Sequence, residues 1–371
     1  MARPLDALFQ PFALKSLQLA NRTVMAPMTR WHSPGGVPGE DVAAYYRRRA
    51  ENGCGLIITE GTVVDHPVSS YSERVPNCFG AGLEGWRHVV EQVHEAGGRI
   101  IPQLWHVGAM RVPGQDYPNP QEQAVSPSGL WAPGKPPNGE PLSKKEISKL
   151  VDAFARAAAD AQSAGFDGLE VHAAHGYLID QFLWPELNQR QDEYGGDVHG
   201  RVRFAVEVVQ AVRREINADF PLILRISQWK QQDYSARLAC TPEQLTELLE
   251  PLCEAGVDAF HCSQRRYWEP EFEGSELNLA GWVKHVTGKP TITVGSVGLT
   301  RELQGGSMEN LAQEAEFASL DGVVERLERS EFDLVAIGRA LLADPAWVRK
   351  VREGRFDELS PFNAEALAQL T

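Results

Sequence analysis

Two kinds of apolar pattern alternate along the 371-residue chain. Short runs rich in β-branched residues read as strands covered on both faces, and stretches with apolar residues every three or four positions read as amphipathic helices. The strand-like runs are 23–27 (TVMAP), 56–60 (LIITE), 99–104 (RIIPQL), a run that ends at His172, 222–227 (LILRIS), 259–262 (AFHC), 290–294 (PTITV) and 334–337 (LVAI). Helices are expected at about 38–52 before Gly53, at 83–96 before Gly97-Gly98, and from the capping box Ser143-Lys-Lys-Glu146 to Gly165. Others follow at about 200–216, after the cap and first-turn proline Thr241-Pro242, at 279–286, around 310–327, and after Asp344-Pro345. Residues 12–21 alternate weakly and predict a small hairpin ahead of the main fold.

Eight strand-then-helix units predict an α/β fold, a (β/α)8 TIM barrel with an N-terminal hairpin. The rival doubly wound sheet usually carries a glycine-rich loop after its first strand, and Ala26-Pro-Met-Thr29 is not one. The stretch 111–142 is rich in Pro, Gly and Asn and too long for a plain connection, so a lid-like excursion after strand three is expected. The domain expectation is a single barrel over 1–371.

The formal charge of −14 argues against a nucleic-acid partner, which would need a clustered basic surface. Five cysteines, an odd number without Cys-x-x-Cys spacing, fit a reducing compartment. The start, MARPLDALFQPF, has no apolar segment of signal-peptide type, and no apolar run reaches membrane-spanning length. A soluble, cytoplasmic protein is expected, with assembly into a homo-oligomer left open.

In such a barrel the chemistry lies at the C-terminal ends of the strands. Those ends hold Pro27, Met28 and Thr29; Glu60, Gly61 and Thr62; Gln103, Trp105 and His106; His172, His175 and Tyr177; Arg225; Gly295-Ser296-Val297-Gly298; and Gly338-Arg339. Two imidazoles and a phenol at one strand end are more polarity than a core can use without partners. Glycine turns with an arginine after strands seven and eight suit a phosphate. Thr29, Gln103 and Arg225 suit the edge of a flat heterocycle. Arg225 lies inside an apolar run, and its alternative is a buried ion pair with Glu60 or Glu170. No metal site is expected, because His172 and His175 lack an acid at ligand spacing.

Together these residues resemble the old yellow enzyme family of FMN-dependent ene-reductases, over about residues 8–351. The motifs are Ala26-Pro-Met-Thr-Arg30, Ile58-Thr-Glu-Gly-Thr62, Gln103-Leu-Trp-His106, Glu170-Val-His-Ala-Ala-His-Gly-Tyr-Leu178, Asn188-Gln-Arg-Gln-Asp-Glu-Tyr-Gly-Gly196 and Ile337-Gly-Arg339. The resemblance implies an NAD(P)H-dependent flavin oxidoreductase with FMN as cofactor and NADPH or NADH as electron donor. Hydride would pass from flavin N5 to the β-carbon of a small activated alkene, an α,β-unsaturated carbonyl or nitro compound. Pro27, Met28, Thr29, Gly61, Gln103 and Arg225 would hold the flavin ring, and Gly295, Ser296, Gly338 and Arg339 its phosphate. His172 and His175 would bind the substrate oxygen, and Tyr177 would protonate the α-carbon.

The loops after strands five and six depart from the pattern. Ser227-Gln-Trp-Lys-Gln-Gln-Asp-Tyr234 lacks the glycine expected there, and Ser263-Gln-Arg-Arg-Tyr-Trp268 is heavy in aromatics and base. Trp31, Trp105, Trp229, Tyr267 and Trp268 are candidate pocket walls, and Arg265 and Arg266 are candidate contacts for the extra phosphate of NADPH. Three rival readings are weighed: a sister flavin barrel acting on dienoyl, nitro or nitrate-ester substrates; a flavin barrel without turnover; and a flavin-free hydrolase with a metal on His172, His175 and His106.

Overall fold

The structure is a computed structural model that describes residues 4–111, 117–302 and 313–371. It opens with an antiparallel hairpin of β1 (Phe12–Leu14) and β2 (Leu17–Leu19). Three barrel strands follow, β3 (Thr23–Met25), β4 (Leu56–Val63) and β5 (Ile100–Trp105), separated by α1 (Glu40–Glu51) and α2 (Ala81–Glu95). The excursion carries a two-stranded pair, β6 (Ala124–Ser126) and β7 (Gly139–Pro141); its residues 112–116 lie outside the described residues.

The order then runs α3 (Lys144–Ser163), β8 (Leu169–His175), α4 (Leu178–Leu183), α5 (Val198–Glu215), β9 (Leu222–Lys230), α6 (Pro242–Ala255), β10 (Ala259–Ser263), α7 (Leu279–Thr287) and β11 (Thr291–Val294). It closes with α8 (Asp321–Glu328), β12 (Leu334–Ile337), α9 (Arg339–Ala343), α10 (Trp347–Arg352) and α11 (Ala364–Ala368). Residues 310–312, the start of the helix expected around 310–327, lie outside the described residues; the described helix begins only at Asp321.

β3, β4, β5, β8, β9, β10, β11 and β12 form a closed barrel in chain order, every neighbouring pair parallel. The helix signals act as read. Ser143 and Glu146 form a reciprocal capping box on α3, and the Thr241 side chain caps α6 with Pro242 in its first turn.

The two faces of each strand go to different cores. Leu56, Ile58, Ile101, Ile223, Ala259, Ile292 and Leu334 form one cluster with Leu14, Leu17 and Leu19 of the hairpin. The hairpin therefore stoppers the N-terminal mouth, and burying each of its leucines contributes about 1.5–3 kcal/mol. The opposite strand faces meet the helices in a larger cluster. With one mouth plugged by hydrocarbon, polar strand positions nearer the C-terminal mouth are left to line a site.

Candidate active site

A step of two along four adjacent strands places Gln103, Glu170, Arg225 and His261 above that apolar layer, because side chains two apart share a face. Backbone register sets them side by side: Gln103 faces Glu170, and Arg225 lies between His172 and His261. Glu170 accepts from the Gln103 amide at 2.7 Å and bonds His261 Nδ1 at 2.7 Å. Glu60 accepts the backbone N–H of Arg30 at 2.8 Å. Neither acid pairs with Arg225. Its guanidinium is buried, its Nε has no hydrogen-bond partner, and burial holds it below the usual arginine range.

One turn higher, the strands run past the points where the periodicity ends them, β8 to His175 and β9 to Lys230. His172 Nδ1 accepts the Ala174 N–H at 3.2 Å, so in the neutral ring the proton sits on Nε2, which is left as a donor. His175 adopts a left-handed φ of 65°, donates its backbone N–H to Ser227 Oγ at 2.9 Å, and bonds Ser263 Oγ through Nε2 at 2.7 Å. Its ring stacks on Trp229 at 4.5 Å. Tyr177 packs edge-on against Trp105 at 4.8 Å and against His172 at 5.1 Å.

These groups line a cavity of about 650 Å³ at the C-terminal mouth. Its wall contains Pro27, Met28, Thr29, Gly61, Gln103, Arg225, Gly295, Ser296, Gly338, Arg339, His172, His175, Tyr177, Trp31, Trp105 and Trp229 of the predicted site residues. Tyr267 is the correction. Its side chain turns outward, with the hydroxyl against Gly322 of α8, and joins the helix-layer core. Trp268 is also off the wall and is 43% exposed. His106 is outside the cavity too; its Nε2 bonds His66 at 3.0 Å instead of joining His172 and His175. Arg265 and Arg266 both reach Glu302, at 3.2 and 2.7 Å, so each already has a carboxylate partner.

The wall also holds residues that the sequence reading missed: Tyr71 from the loop after β4, Met110 and Trp131 flanking and within the excursion, and Gln231, Gln232 and Tyr234 after β9. The glycine-poor loop after β9 was the available signal for the last three. Two glycines have steric reasons. A Cβ on Gly61 would lie 2.3 Å from the Trp105 ring, and one on Gly295 would lie 2.6 Å from the Gln264 carbonyl oxygen.

Burial is the largest cause holding His66, His106, His172, His175 and His261 below the usual histidine range, His66 down to about 4. Such groups bind protons better in the unfolded chain, so they stabilise the fold above the unfolded value, about 6.5, and that stability is lost as pH falls. Glu60 and Glu271, raised by burial to about 7, and Asp160 and Asp180, also raised by burial, act in the opposite sense and are outnumbered five to four. Urea unfolding is expected to give a clearly lower stability at pH 5 than at pH 7.5; equal values would contradict this balance.

The family described as NADH:flavin oxidoreductase / NADH oxidase matches residues 7–358. The chain belongs to this family. The protein 12-oxophytodienoate reductase 7 of Oryza sativa subsp. japonica is 34% identical over 365 residues, covering 93% of this chain and 87% of that protein. NADH oxidase of Thermoanaerobacter brockii is 33% identical over 362 residues, covering 95% of this chain, which spans about half (52%) of that relative's length. A morphinone reductase variant in complex with tetrahydroNAD superposes with a TM-score of 0.80 at 30% identity, over 97% of this chain and 93% of that one. The old yellow enzyme homologue from Zymomonas mobilis superposes with a TM-score of 0.80 at 27% identity, over 98% and 97%.

This member of the NADH:flavin oxidoreductase family is thus an FMN-dependent oxidoreductase of the old yellow enzyme type that draws electrons from a nicotinamide. Its residues fit the cofactor. In a chain of net charge −14, no carboxylate lines the cavity among the described residues, whereas Arg225 and Arg339 do. Arg339 is pushed down to about 10, chiefly by burial, with the Glu302 charge opposing the fall. Among the described residues no helix is long and apolar enough to cross a membrane.

Proposed function

We propose that this enzyme reduces activated alkenes, α,β-unsaturated carbonyl or nitro compounds, and that the whole chain serves as one FMN-binding barrel. The observation that carries the reading is the buried Arg225, without an ion-pair partner among the described residues, directly beside the His172, His175 and Tyr177 cluster. FMN, when bound, would supply the redox chemistry between NADH or NADPH and the substrate's β-carbon. Arg225 offers positive charge to the ring's electron-rich edge. Gln103, oriented by the N–H it gives to Glu170, offers its carbonyl oxygen to a ring N–H, and Thr29 adds a hydroxyl. Gly295, Ser296, Gly338 and Arg339 would take the phosphate.

His172 presents its Nε2–H to the substrate oxygen, with the His175 ring edge-on to it at 5.1 Å as the second contact. Negative charge grows on that oxygen as the β-carbon gains hydride, so these donors favour the transition state over the bound substrate. The Tyr177 hydroxyl gives its proton to the α-carbon. Trp31, Trp105, Trp131 and Trp229 form flat apolar walls that shed water around the conjugated system.

The test is an anaerobic colour assay. Purified protein should be yellow, bleach with NAD(P)H, and recolour on adding cyclohexenone with formation of cyclohexanone. Bleaching without recolouring by any enone, maleimide or nitroalkene would reject the alkene reading. A second expectation concerns retention of the cofactor. Arg225→Met should weaken FMN binding by about ten- to a hundredfold, the worth of one hydrogen bond to a charged group, measured by equilibrium dialysis. Unchanged affinity would show that Arg225 does not face the ring.

A further inference from the structure

The loop after β9 brings to Tyr177 a side chain that strand-end reasoning does not supply. Gln231 lies at the exposed rim of the cavity and donates its Nε2–H to the Tyr177 hydroxyl oxygen at 2.8 Å. The phenol ring is clamped between Trp105 and His172, so that oxygen stays where Gln231 meets it. A hydroxyl that accepts on one lone pair must aim its own proton elsewhere. Tyr71 offers a second hydrogen-bonding hydroxyl at the same oxygen.

The loop does not need Gln231 to hold its shape. Lys230 anchors it to Asp180 at 2.7 Å, and Gln232 ties it to the carbonyl oxygens of Trp131 and Gly176 at 3.0 and 3.2 Å. With those anchors on either side, the bond from Gln231 is free to serve the phenol.

We propose that Gln231 is a positioning residue for proton delivery, aiming the Tyr177 proton at the substrate and carrying part of the charge left on the oxygen afterwards. This rests on the reading of Tyr177 as the proton donor. In the step, the Tyr177 O–H bond breaks and the enolate's electron pair forms the new bond from the α-carbon to that proton. The oxygen keeps the O–H pair as tyrosinate, and a proton from water later restores the phenol. A donor bonds an anionic oxygen more strongly than a neutral one, so the amide of Gln231 lowers the cost of the step in which charge appears. Burial raises the Tyr177 hydroxyl above its usual range, and the bonds from Gln231 and Tyr71 oppose that rise.

The test uses the FMN-loaded protein and its Gln231→Leu and Gln231→Glu variants. Ultraviolet difference titration of each protein against the same protein carrying Tyr177→Phe isolates the ionisation of this one phenol. Gln231→Leu should move that ionisation upward by about one pH unit, a tenfold change in its constant, and Gln231→Glu further, because a carboxylate then faces the phenolate. Recolouring by cyclohexenone should slow by about three- to tenfold relative to bleaching, and the basic limb of its pH profile should move with the titration. If Tyr177→Phe slows recolouring while both Gln231 variants leave titration and rate unchanged, the role of Gln231 is overturned alone. If Tyr177→Phe recolours at the wild-type rate, the proton-donor reading falls and this inference falls with it.

Discussion

Tyr177→Phe is expected to leave bleaching by NAD(P)H at the wild-type rate and to slow recolouring by cyclohexenone by about 10²–10⁴-fold, the range of a positioned general acid. The substitution removes one oxygen and little else. Phenylalanine keeps the edge-on packing against Trp105 and His172, so the walls should hold their shape. The hydride side of the reaction does not need the phenol, whereas the α-carbon needs the proton that the Tyr177 hydroxyl is proposed to give. Because burial lifts the Tyr177 hydroxyl above its ordinary value near 10, the wild-type recolouring rate should stay level through neutral pH and fall only in strong base, once the phenol ionises. Stopped-flow absorbance separates the two half-reactions. Equal slowing of both would remove Tyr177 from the proposed role.

Lys230→Met is expected to cost about 3–5 kcal/mol of stability, the penalty for stranding one charge of a buried pair. Lys230 Nζ and Asp180 Oδ1 meet at 2.7 Å, and both side chains are fully buried. The second oxygen of Asp180 accepts the Gly176 N–H at 2.7 Å, and Lys230 also donates to the Ser227 carbonyl at 2.9 Å. The pair thus ties β9 to the turn between His175 and Tyr177, where His175 and Gly176 both have positive φ. Burial already raises the Asp180 carboxyl, with Lys230 opposing that rise, so loss of Lys230 should drive Asp180 to take up a proton. The double variant Asp180→Leu with Lys230→Met should recover much of the loss, since no charge is then stranded. Denaturant unfolding tests both. A loss below about 1 kcal/mol in the single variant would place the pair among weakly contributing ion pairs.

The barrel was legible because its strands are buried on both faces and therefore carry dense apolar runs of their own. Strand ends were less so. Residues 173–175 and 228–230 extend β8 and β9 beyond the apolar runs, because above the mouth the pairing continues where the hydrocarbon stops. The helix α4 was missed, since a six-residue helix buried on every side leaves no amphipathic stripe. Single strand ends announced His172 and Arg225. Tyr71, Trp131 and Gln231 reach the cavity from connections whose paths no periodicity encodes. Tyr267 was misplaced for a related reason: the loop after β10 turns the aromatic outward, against α8, while its backbone N–H bonds the Gly295 carbonyl oxygen at 3.0 Å. The ion pair considered for Arg225 failed because His261 and Gln103 already satisfy Glu170, a contact between three strands that one sequence does not reveal.

Electron density from crystals soaked with FMN and cyclohexanone should show the flavin ring edge against Thr29, Gln103 and Arg225, the phosphate at Gly338 and Arg339, and the ketone oxygen within hydrogen-bond distance of His172 Nε2, with the Tyr177 hydroxyl above the α-carbon. A ring bound elsewhere, or a ketone turned away from His172 and Tyr177, would contradict the proposed function.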